Sequence, residues 1–409
     1  MLQNDKVKKF IDNIFNNPLN PPLTRGRRPL SPLNKGGRGG LLVFKNTLQI
    51  EKTCAENGWK LLNPPAKISN AVEEKISQIA WLGPLKKYLP KYQVLKCKNI
   101  KIANNYFLRS EDACESEASL IPQRVKNNYL LSKKQEKNNY QIFSKPFILQ
   151  FNRSHTGSGT MLIENEKQLI ELQKTFPERE VRIAEYIPGP LFTNNNIVTK
   201  NNILLGNINY QITGLKPFTD LPFSTIGNDW ALPHKILNQK QITQYKKIAT
   251  EVGKRLQKAG WLGLFGIDVV VNEMTGKLYL LEINCRQPAS TTYESQLQSK
   301  VQKSIKSQVT TFQAHLSTLL NIDLKNKKLT EINNGAQVIL RNSQKSLKSV
   351  KSKVTRLKKE KFNVIEYNNT KPNSDLVRIQ SEKGIMEEHN GFNSIGNKII
   401  KIISNSPNF

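Results

Sequence analysis

Three polar side chains alternate with apolar ones near residue 284. Glu282, Asn284 and Arg286 are each separated by one apolar residue. Because strand side chains point alternately to opposite faces, the three groups share one face of a predicted strand. Their burial without partners would cost several kcal/mol. Carboxylate and amide oxygens bind hydrated Mg²⁺, and a guanidinium fork suits phosphate. The pattern therefore predicts a site for Mg²⁺ and phosphate, with Asp268 as a further acid upstream.

A β-hairpin would bring Asp268 to the other groups. Two β-rich runs, FGIDVVVN and KLYLLEINC, flank the turn EMTG. The stretch LFGIDVVVNEMTGKLYLLEINCRQP resembles the metal-binding hairpin of the ATP-grasp superfamily. That resemblance implies ATP with Mg²⁺ or Mn²⁺ as the cofactors. It assigns Asp268, Glu282 and Asn284 to the metal, and Arg286 to the reacting phosphoryl group or acyl phosphate. An ordinary hairpin with a surface Glu-Arg pair is the alternative.

Upstream, a second predicted hairpin has a tip rich in small residues. FILQF (147–151) is a short apolar strand, followed by NRSHTGSGT and a second strand. RSHTGSGT resembles the mobile ATP-grasp loop that closes over the β- and γ-phosphates. Glycines let backbone N–H groups approach phosphate, and hydroxyl groups add donors. An ordinary turn remains possible. The resemblance assigns the nucleotide to Arg153, Ser154, His155, Thr156, Gly157, Ser158, Gly159 and Thr160.

The segment AEYIPGP resembles the connection between the two ATP-grasp lobes, where adenine meets backbone groups and an acid binds ribose. Its candidates are Glu185, Tyr186 and Ile187. The alternative is a strand end followed by a Pro-Gly turn.

On the strand before the small-residue loop, family members usually carry a lysine for the α-phosphate, and the matching residue is Gln150. A neutral amide stabilises phosphate less than an ammonium does, and Lys145 is the candidate substitute.

A second departure is that LFTNNN, after that connection, lacks an acid common in the family. Both departures keep open a nucleotide-binding protein without turnover. Further along, GAQVILRN resembles the start of the C-terminal subdomain of biotin carboxylase, which makes Arg341 a catalytic candidate.

Apolar spacing indicates the elements around these motifs. Apolar residues from Ile242 to Leu256 at steps of three or four predict a helix over 241–258 that packs on a sheet. The segment 164–176 is a second predicted helix, and VRIAEYI a buried strand. AVEEKISQIAWLG favours a helix and QVLKCKNIKIA a short strand. After residue 330, GAQVILR, NVIEY and LVRIQ are predicted strands, and a last helix lies near 394–403.

Together these elements predict an α+β or α/β fold, in which two α+β lobes of an ATP-grasp fold clasp the nucleotide. A small N-terminal α/β domain and a C-terminal β-rich subdomain flank them. The expected units are a mobile N-terminus with a Pro-, Gly- and Arg-rich insertion, an N-terminal region, the ATP-grasp domain and the C-terminal subdomain, at 1–40, 41–125, 126–325 and 326–409.

Composition restricts the class of partner. The chain has 409 residues and a formal charge of +30, from 62 Lys and Arg against 32 Asp and Glu. Lysine is spread along the chain without an RNA-binding signature, so a nucleic-acid partner is the weaker interpretation. No apolar run of about 18 residues occurs, and the four cysteines have no CxxC spacing. We expect a cytoplasmic ligase that joins a small carboxylate to an amine or thiol at the expense of ATP.

Overall fold

The computed structural model describes residues 40–101, 146–152, 159–302, 307–342 and 350–404. Two β-sheets organise these residues, with two further pairs of short strands. Before the sheets come three helices: α1 (Leu48–Glu56), α2 (Ala66–Glu73) and α3 (Ser77–Leu82). No helix among the described residues is long and apolar enough to cross a membrane.

The smaller sheet has four antiparallel strands in the order β1-β4-β2-β3. Helix α4 (Glu166–Thr175) is capped by Asn165, whose side chain accepts from the Gln168 backbone N–H while the Gln168 side chain accepts from the Asn165 backbone N–H. Leu169 of α4 is buried in the core of this sheet. The strands are β1 (Tyr92–Lys96), β2 (Phe147–Phe151), β3 (Thr160–Ile163) and β4 (Glu180–Glu185).

The larger sheet has nine strands in the order β10-β9-β5-β7-β8-β13-β15-β14, with β6 paired to β5. The strands of the predicted C-terminal subdomain continue this sheet, because β13 pairs with β8. Its strands are β5 (Leu191–Val198), β6 (Ile203–Leu204), β7 (Asn209–Thr213), β8 (Thr225–Asp229), β9 (Gly263–Val271), β10 (Leu278–Asn284), β13 (Ala336–Arg341), β14 (Asn363–Glu366) and β15 (Asp375–Ser381). The short pairs are β11 (Gln308–Val309) with β12 (Lys328–Leu329), and β16 (Met386–Glu388) with β17 (Gly391–Phe392).

Helix α6 covers one face of the larger sheet and confirms the helix predicted over 241–258. It extends from Gln239 to Lys258, and its apolar side is buried in the main core. Gly253 faces the sheet, where an added Cβ would come within 2.7 Å of Ile203, so glycine permits this close packing. The other helices are α5 (Pro233–Ile236), α7 (Thr291–Val301), α8 (Thr311–Leu319), α9 (Val350–Lys359) and α10 (Ser394–Ser404).

Two local predictions differ from the structure. AVEEKISQIAWLG was expected to form one helix, but α2 ends at Glu73 and α3 begins at Ser77. The break is held by Asn152, whose Oδ1 accepts from the Ile76 backbone at 2.9 Å and whose carbonyl accepts from the Lys75 backbone at 3.1 Å. In QVLKCKNIKIA the strand ends at Lys96, because a 3₁₀ helix follows. The predicted domain boundaries stay predictions.

A buried carboxyl group, that of Glu294, links helix α7 to strand β5 by a hydrogen bond. Glu294 is fully buried and accepts hydrogen bonds from the side chains of Asn195 and Asn207, the latter at 3.0 Å. Burial raises the pKa of Glu294 to about 7, although both amides favour the charged form. The folded protein therefore holds a proton at pH values where the unfolded chain has lost it.

Stability should consequently fall as pH rises from about 4 to about 7, because the folded state binds more protons there. Glu294→Gln should remove this dependence of stability on pH. Between pH 4 and 8 the free energy of unfolding of the variant should therefore rise by about 3 kcal/mol relative to that of the wild type, since each pKa unit corresponds to about 1.4 kcal/mol. Urea unfolding at a series of pH values measures this. The same change at the exposed Glu171 is the control. Parallel profiles for wild type and Glu294→Gln would contradict the assignment.

Candidate active site

The β9–β10 hairpin brings the predicted metal ligands together. Asp268 is the register partner of Glu282, and Asn284 lies opposite Gly266. The register shifts between Leu280 and Glu282, and this irregularity places Glu282 directly across from Asp268. Asn284 Nδ2 donates to Asp268 Oδ2 at 3.2 Å. Two carboxylates and one amide thus lie together where β9 and β10 pair.

Burial and charge act differently on the two acids. Burial, and then the charge of Glu282, raise the pKa of Asp268 to about 6, while Thr193 on β5 donates to its carboxylate. Burial also opposes ionisation of Glu282, but Lys75 and Arg286 outweigh it and lower the pKa of Glu282. A metal cation bound between them would favour the charged form of both carboxylates.

Lys75 is a site residue that the sequence analysis missed. Its ammonium lies 2.6 Å from Glu282 Oε2, and its side chain is only 5% exposed. The break between α2 and α3 directs Lys75 into the hairpin. One signal was available, because Lys75 falls between the apolar Val72 and Ile79 on the helical stripe that should be buried. A lysine on a buried stripe needs an anionic partner.

Arg286 has a separate partner. Its Nη1 lies 2.7 Å from Glu73 Oε1, and Lys45 Nζ lies 2.6 Å from the other oxygen of Glu73. The Glu73 side chain is 6% exposed, so both cations neutralise a buried carboxylate. Residues 73 to 75 therefore contact both Arg286 and Glu282, and they form one wall of the cluster.

The smaller sheet contributes the predicted nucleotide residues that the structure describes. Gln150 lies opposite Thr160 on β3, and its Nε2 donates to Thr160 Oγ1 at 3.2 Å. The Gly159 carbonyl accepts from the Phe151 backbone at 3.0 Å. Gln150 also lies opposite Arg182 on β4, a residue that the sequence analysis did not select. The remaining predicted residues lie outside the described residues: Lys145, Arg153, Ser154, His155, Thr156, Gly157 and Ser158.

The predicted connection joins β4 of the smaller sheet to β5 of the larger one. Glu185 ends β4 and is exposed, Tyr186 is half-buried, and Ile187 is buried. Gly189 has φ 141°, and an added Cβ would lie 2.0 Å from the Val271 carbonyl oxygen, so only glycine fits. The Pro188 carbonyl accepts from the Glu273 backbone at 3.0 Å. The connection is thus fixed against the turn of the β9–β10 hairpin.

Arg341 lies at the end of β13. Its guanidinium donates to Asp375 and, at 2.9 Å, to the Thr225 carbonyl. The catalytic role of Arg341 stays a prediction. Another arginine of this region, Arg378, donates to the Ala289 carbonyl at 3.3 Å, close after Arg286.

The donor set fits a hard divalent cation. Asn284 Oδ1 is buried and has no hydrogen-bond partner among the described residues. No group of three His, Cys, Asp or Glu side chains that could hold a metal lies in the described ranges. A metal ion here would therefore take oxygens from Asp268, Glu282 and Asn284, and complete its shell with water and phosphate oxygens, as Mg²⁺ commonly does. The Lys75 ammonium, 2.6 Å from Glu282, shows that this carboxylate attracts a cation.

Comparisons with known proteins concern the fold of the chain. Residues 110–290 match the family model described as an ATP-grasp domain. The ADP complex of an N5-carboxyaminoimidazole ribonucleotide synthetase is similar at 10% identity and TM-score 0.56, covering 87% of this chain and 76% of that one. The corresponding synthase of Aspergillus clavatus, complexed with ATP, has 14% identity and TM-score 0.56 over 87% and 78%. An L-amino acid ligase from Bacillus licheniformis has 11% identity and TM-score 0.51 over 86% and 75%. No curated protein matches the sequence. The predicted ATP-grasp fold is confirmed.

Proposed function

We propose that this chain, which carries an ATP-grasp domain, is an ATP-dependent ligase that activates a carboxylate as an acyl phosphate for attack by an amine or thiol. The observation that carries the proposal is the cluster of Asp268, Glu282 and Asn284 oxygens beside the cation Arg286. Acids, amides and cations without a nucleophile triad are the groups that phosphoryl transfer requires.

In the proposed reaction, a carboxylate oxygen of the first substrate attacks the γ-phosphorus of ATP, and ADP leaves. The amine or thiol then attacks the acyl carbon, phosphate leaves, and the acceptor loses a proton. Bound Mg²⁺ would neutralise developing charge on the phosphate oxygens. Lys75 and Arg286 would bind phosphoryl oxygens once they exchange their present carboxylate partners for them, because both are cations held at this wall of the site.

The acceptor is proposed to enter from the side of the C-terminal strands, between the two lobes and the region around Arg341. Supporting this, Arg378 on β15 contacts the loop after Arg286. A cleft of about 1410 Å³ opens beside Gln287, the residue after Arg286, and includes Tyr293 and Gln380 in its lining. Such a cleft accommodates a small polar molecule.

Carboxylate-dependent release of ADP tests the proposal. A panel of carboxylates is screened with Mg-ATP, and hydroxylamine is added to trap the acyl phosphate as a hydroxamate. Because a similar structure contains 5-aminoimidazole ribonucleotide and another is an L-amino acid ligase, the acceptors include that ribonucleotide and L-amino acids. We expect one carboxylate to raise ADP release well above the ATPase background and to give a hydroxamate.

Other outcomes separate the alternatives. A rise in melting temperature with Mg-ATP but no turnover with any carboxylate would favour a nucleotide-binding protein without catalysis. A phosphorylated hydroxyl group without hydroxamate would indicate a kinase. Bicarbonate as the sole productive carboxylate would place the chain nearer biotin carboxylase. Binding to DNA or RNA with a steep salt dependence would favour the nucleic-acid alternative.

A further inference from the structure

Arg182 is a buried guanidinium whose hydrogen-bonding capacity is largely unused. It lies in the middle of β4 and is 1% exposed. Its Nε and Nη1 have no hydrogen-bond partner among the described residues. Buried N–H groups of a charged side chain are costly to leave unpaired. Burial accordingly lowers the pKa of Arg182 to about 10. A ligand that accepts from this guanidinium would remove the cost.

The guanidinium lies on the face of the smaller sheet that is opposite its apolar core. On β4, Val181 and Ile183 belong to the apolar core of the smaller sheet, so Arg182 points to the opposite face. On that face Arg182 is the register partner of Gln150, which in turn is the register partner of Thr160. The charges of Arg182 and Glu282 attract each other, which places the guanidinium near the predicted metal ligands.

Charge balance indicates an anionic ligand. Glu282 already has the Lys75 ammonium at 2.6 Å and the charge of Arg286 nearby, so Arg182 is a further cation near a carboxylate that has partners. Gln150 and Thr160 are neutral and bind each other. A planar guanidinium can donate two parallel hydrogen bonds to phosphate, which an ammonium does not. Among the residues that the structure describes, Arg182 is the cation in the row formed by Thr160, Gln150 and Arg182.

We propose that Arg182 binds the phosphate oxygens of the nucleotide, and that this residue on β4 supplies the positive charge that the neutral Gln150 on β2 does not. The inference rests on the proposed nucleotide binding and extends it to a residue outside the predicted set. In the protein without nucleotide, Arg182 and Lys75 both face Glu282. When nucleotide binds, the phosphate oxygens accept from the free Nε and Nη1 of Arg182.

The test compares two ligands that differ in their phosphates. Isothermal titration of the full chain with Mg-ATP and with adenosine gives both affinities. Arg182→Met should weaken Mg-ATP by about 10- to 100-fold, the range for losing hydrogen bonds to a charged group, and leave adenosine within about twofold. The matched control is Arg179→Met, since Arg179 is exposed and its guanidinium lies over the Phe151 ring at 4.3 Å. That variant should bind both ligands as the wild type does.

A second experiment restores a positive charge at position 150 of the variant that lacks Arg182. Gln150→Lys in the Arg182→Met background places a cation on the neighbouring strand of the same face, and it should recover most of the lost Mg-ATP affinity. If Arg182→Met does not fold, Arg182→Lys keeps the charge without the planar fork. It should weaken Mg-ATP several-fold and again spare adenosine.

The outcomes separate this inference from the proposed function. Unchanged Mg-ATP affinity in Arg182→Met or Arg182→Lys, or an equal loss for Mg-ATP and adenosine, would overturn the role of Arg182 alone. If the wild type bound adenosine as tightly as Mg-ATP, the role of Arg182 would also be overturned. Failure of the wild type to bind either ligand would overturn the proposed function and this inference with it.

Discussion

Glu282→Gln is expected to lower carboxylate-dependent ADP release on the order of 10³-fold, with Asp268→Asn lowering it similarly. Each change removes the charge of one of the two carboxylates that lie opposite each other on β9 and β10. Removal of one positioned electrostatic group from an active site commonly costs about 10²- to 10³-fold in kcat. The neutral side chains keep the size of the originals, so the loss measures charge and not shape.

A stability measurement distinguishes a loss of catalysis from a loss of folding. Lys75 is 5% exposed, so loss of Glu282 leaves a buried ammonium without its carboxylate, and the melting temperature should fall. The transition should remain cooperative, which thermal unfolding followed by circular dichroism would show. Glu178→Gln is the matched control, because Glu178 also pairs with lysines, Lys96 at 3.0 Å and Lys98, but is exposed. Wild-type turnover in Glu282→Gln or Asp268→Asn would contradict the site.

The β9–β10 hairpin could be predicted from sequence because the signals for it are local. Two β-rich runs and a turn specify β9 and β10, and the alternation of side chains assigns Glu282 and Asn284 to one face. The register shift between Leu280 and Glu282 could not be predicted, since a β-bulge depends on how the strands pair. That shift determines that Glu282, and not Leu281, lies opposite Asp268.

Two cations near the candidate site, Lys75 and Arg182, were not predicted, whereas Arg286 was. Lys75 enters the site through a helix break that Asn152 holds, and these two residues are 77 positions apart by their numbers. Helical periodicity alone favours one continuous helix there, and a tertiary contact overrides it. Arg182 lies in VRIAEYI, which was predicted to be a buried strand. An arginine inside such a strand indicates that it has a partner or a ligand, because arginine is rarely buried unpaired.

The strands after residue 330 illustrate a different limit. GAQVILR, NVIEY and LVRIQ form strands as their composition indicates. Composition does not say which sheet a strand joins, however, because the pairing of Gln337 with Asn228 spans more than a hundred residues. Their position in the larger sheet brings Arg378 to the loop after Arg286, and that contact supports the proposed path of the acceptor.

Arg286→Met should reduce kcat on the order of 10²- to 10³-fold while the affinity for Mg-ATP changes by no more than a few-fold. The physical reason is that Arg286 follows the predicted metal ligands on β10 and is expected to contact the group being transferred, so its charge matters most as that group develops charge. Rapid-quench measurement of ADP formation gives kcat, and titration with Mg-ATP gives the affinity.

The partner of Arg286 provides the control that separates catalysis from folding. Loss of Arg286 leaves the buried Glu73 carboxylate with Lys45 as its remaining ion-pair partner among the described residues, which should lower stability. Glu73→Gln in the Arg286→Met background removes that uncompensated charge and should restore much of the melting temperature. Turnover should stay low in this double variant, because no guanidinium remains to contact the acyl phosphate. Recovery of turnover together with stability would show instead that Arg286 acts only as the partner of Glu73.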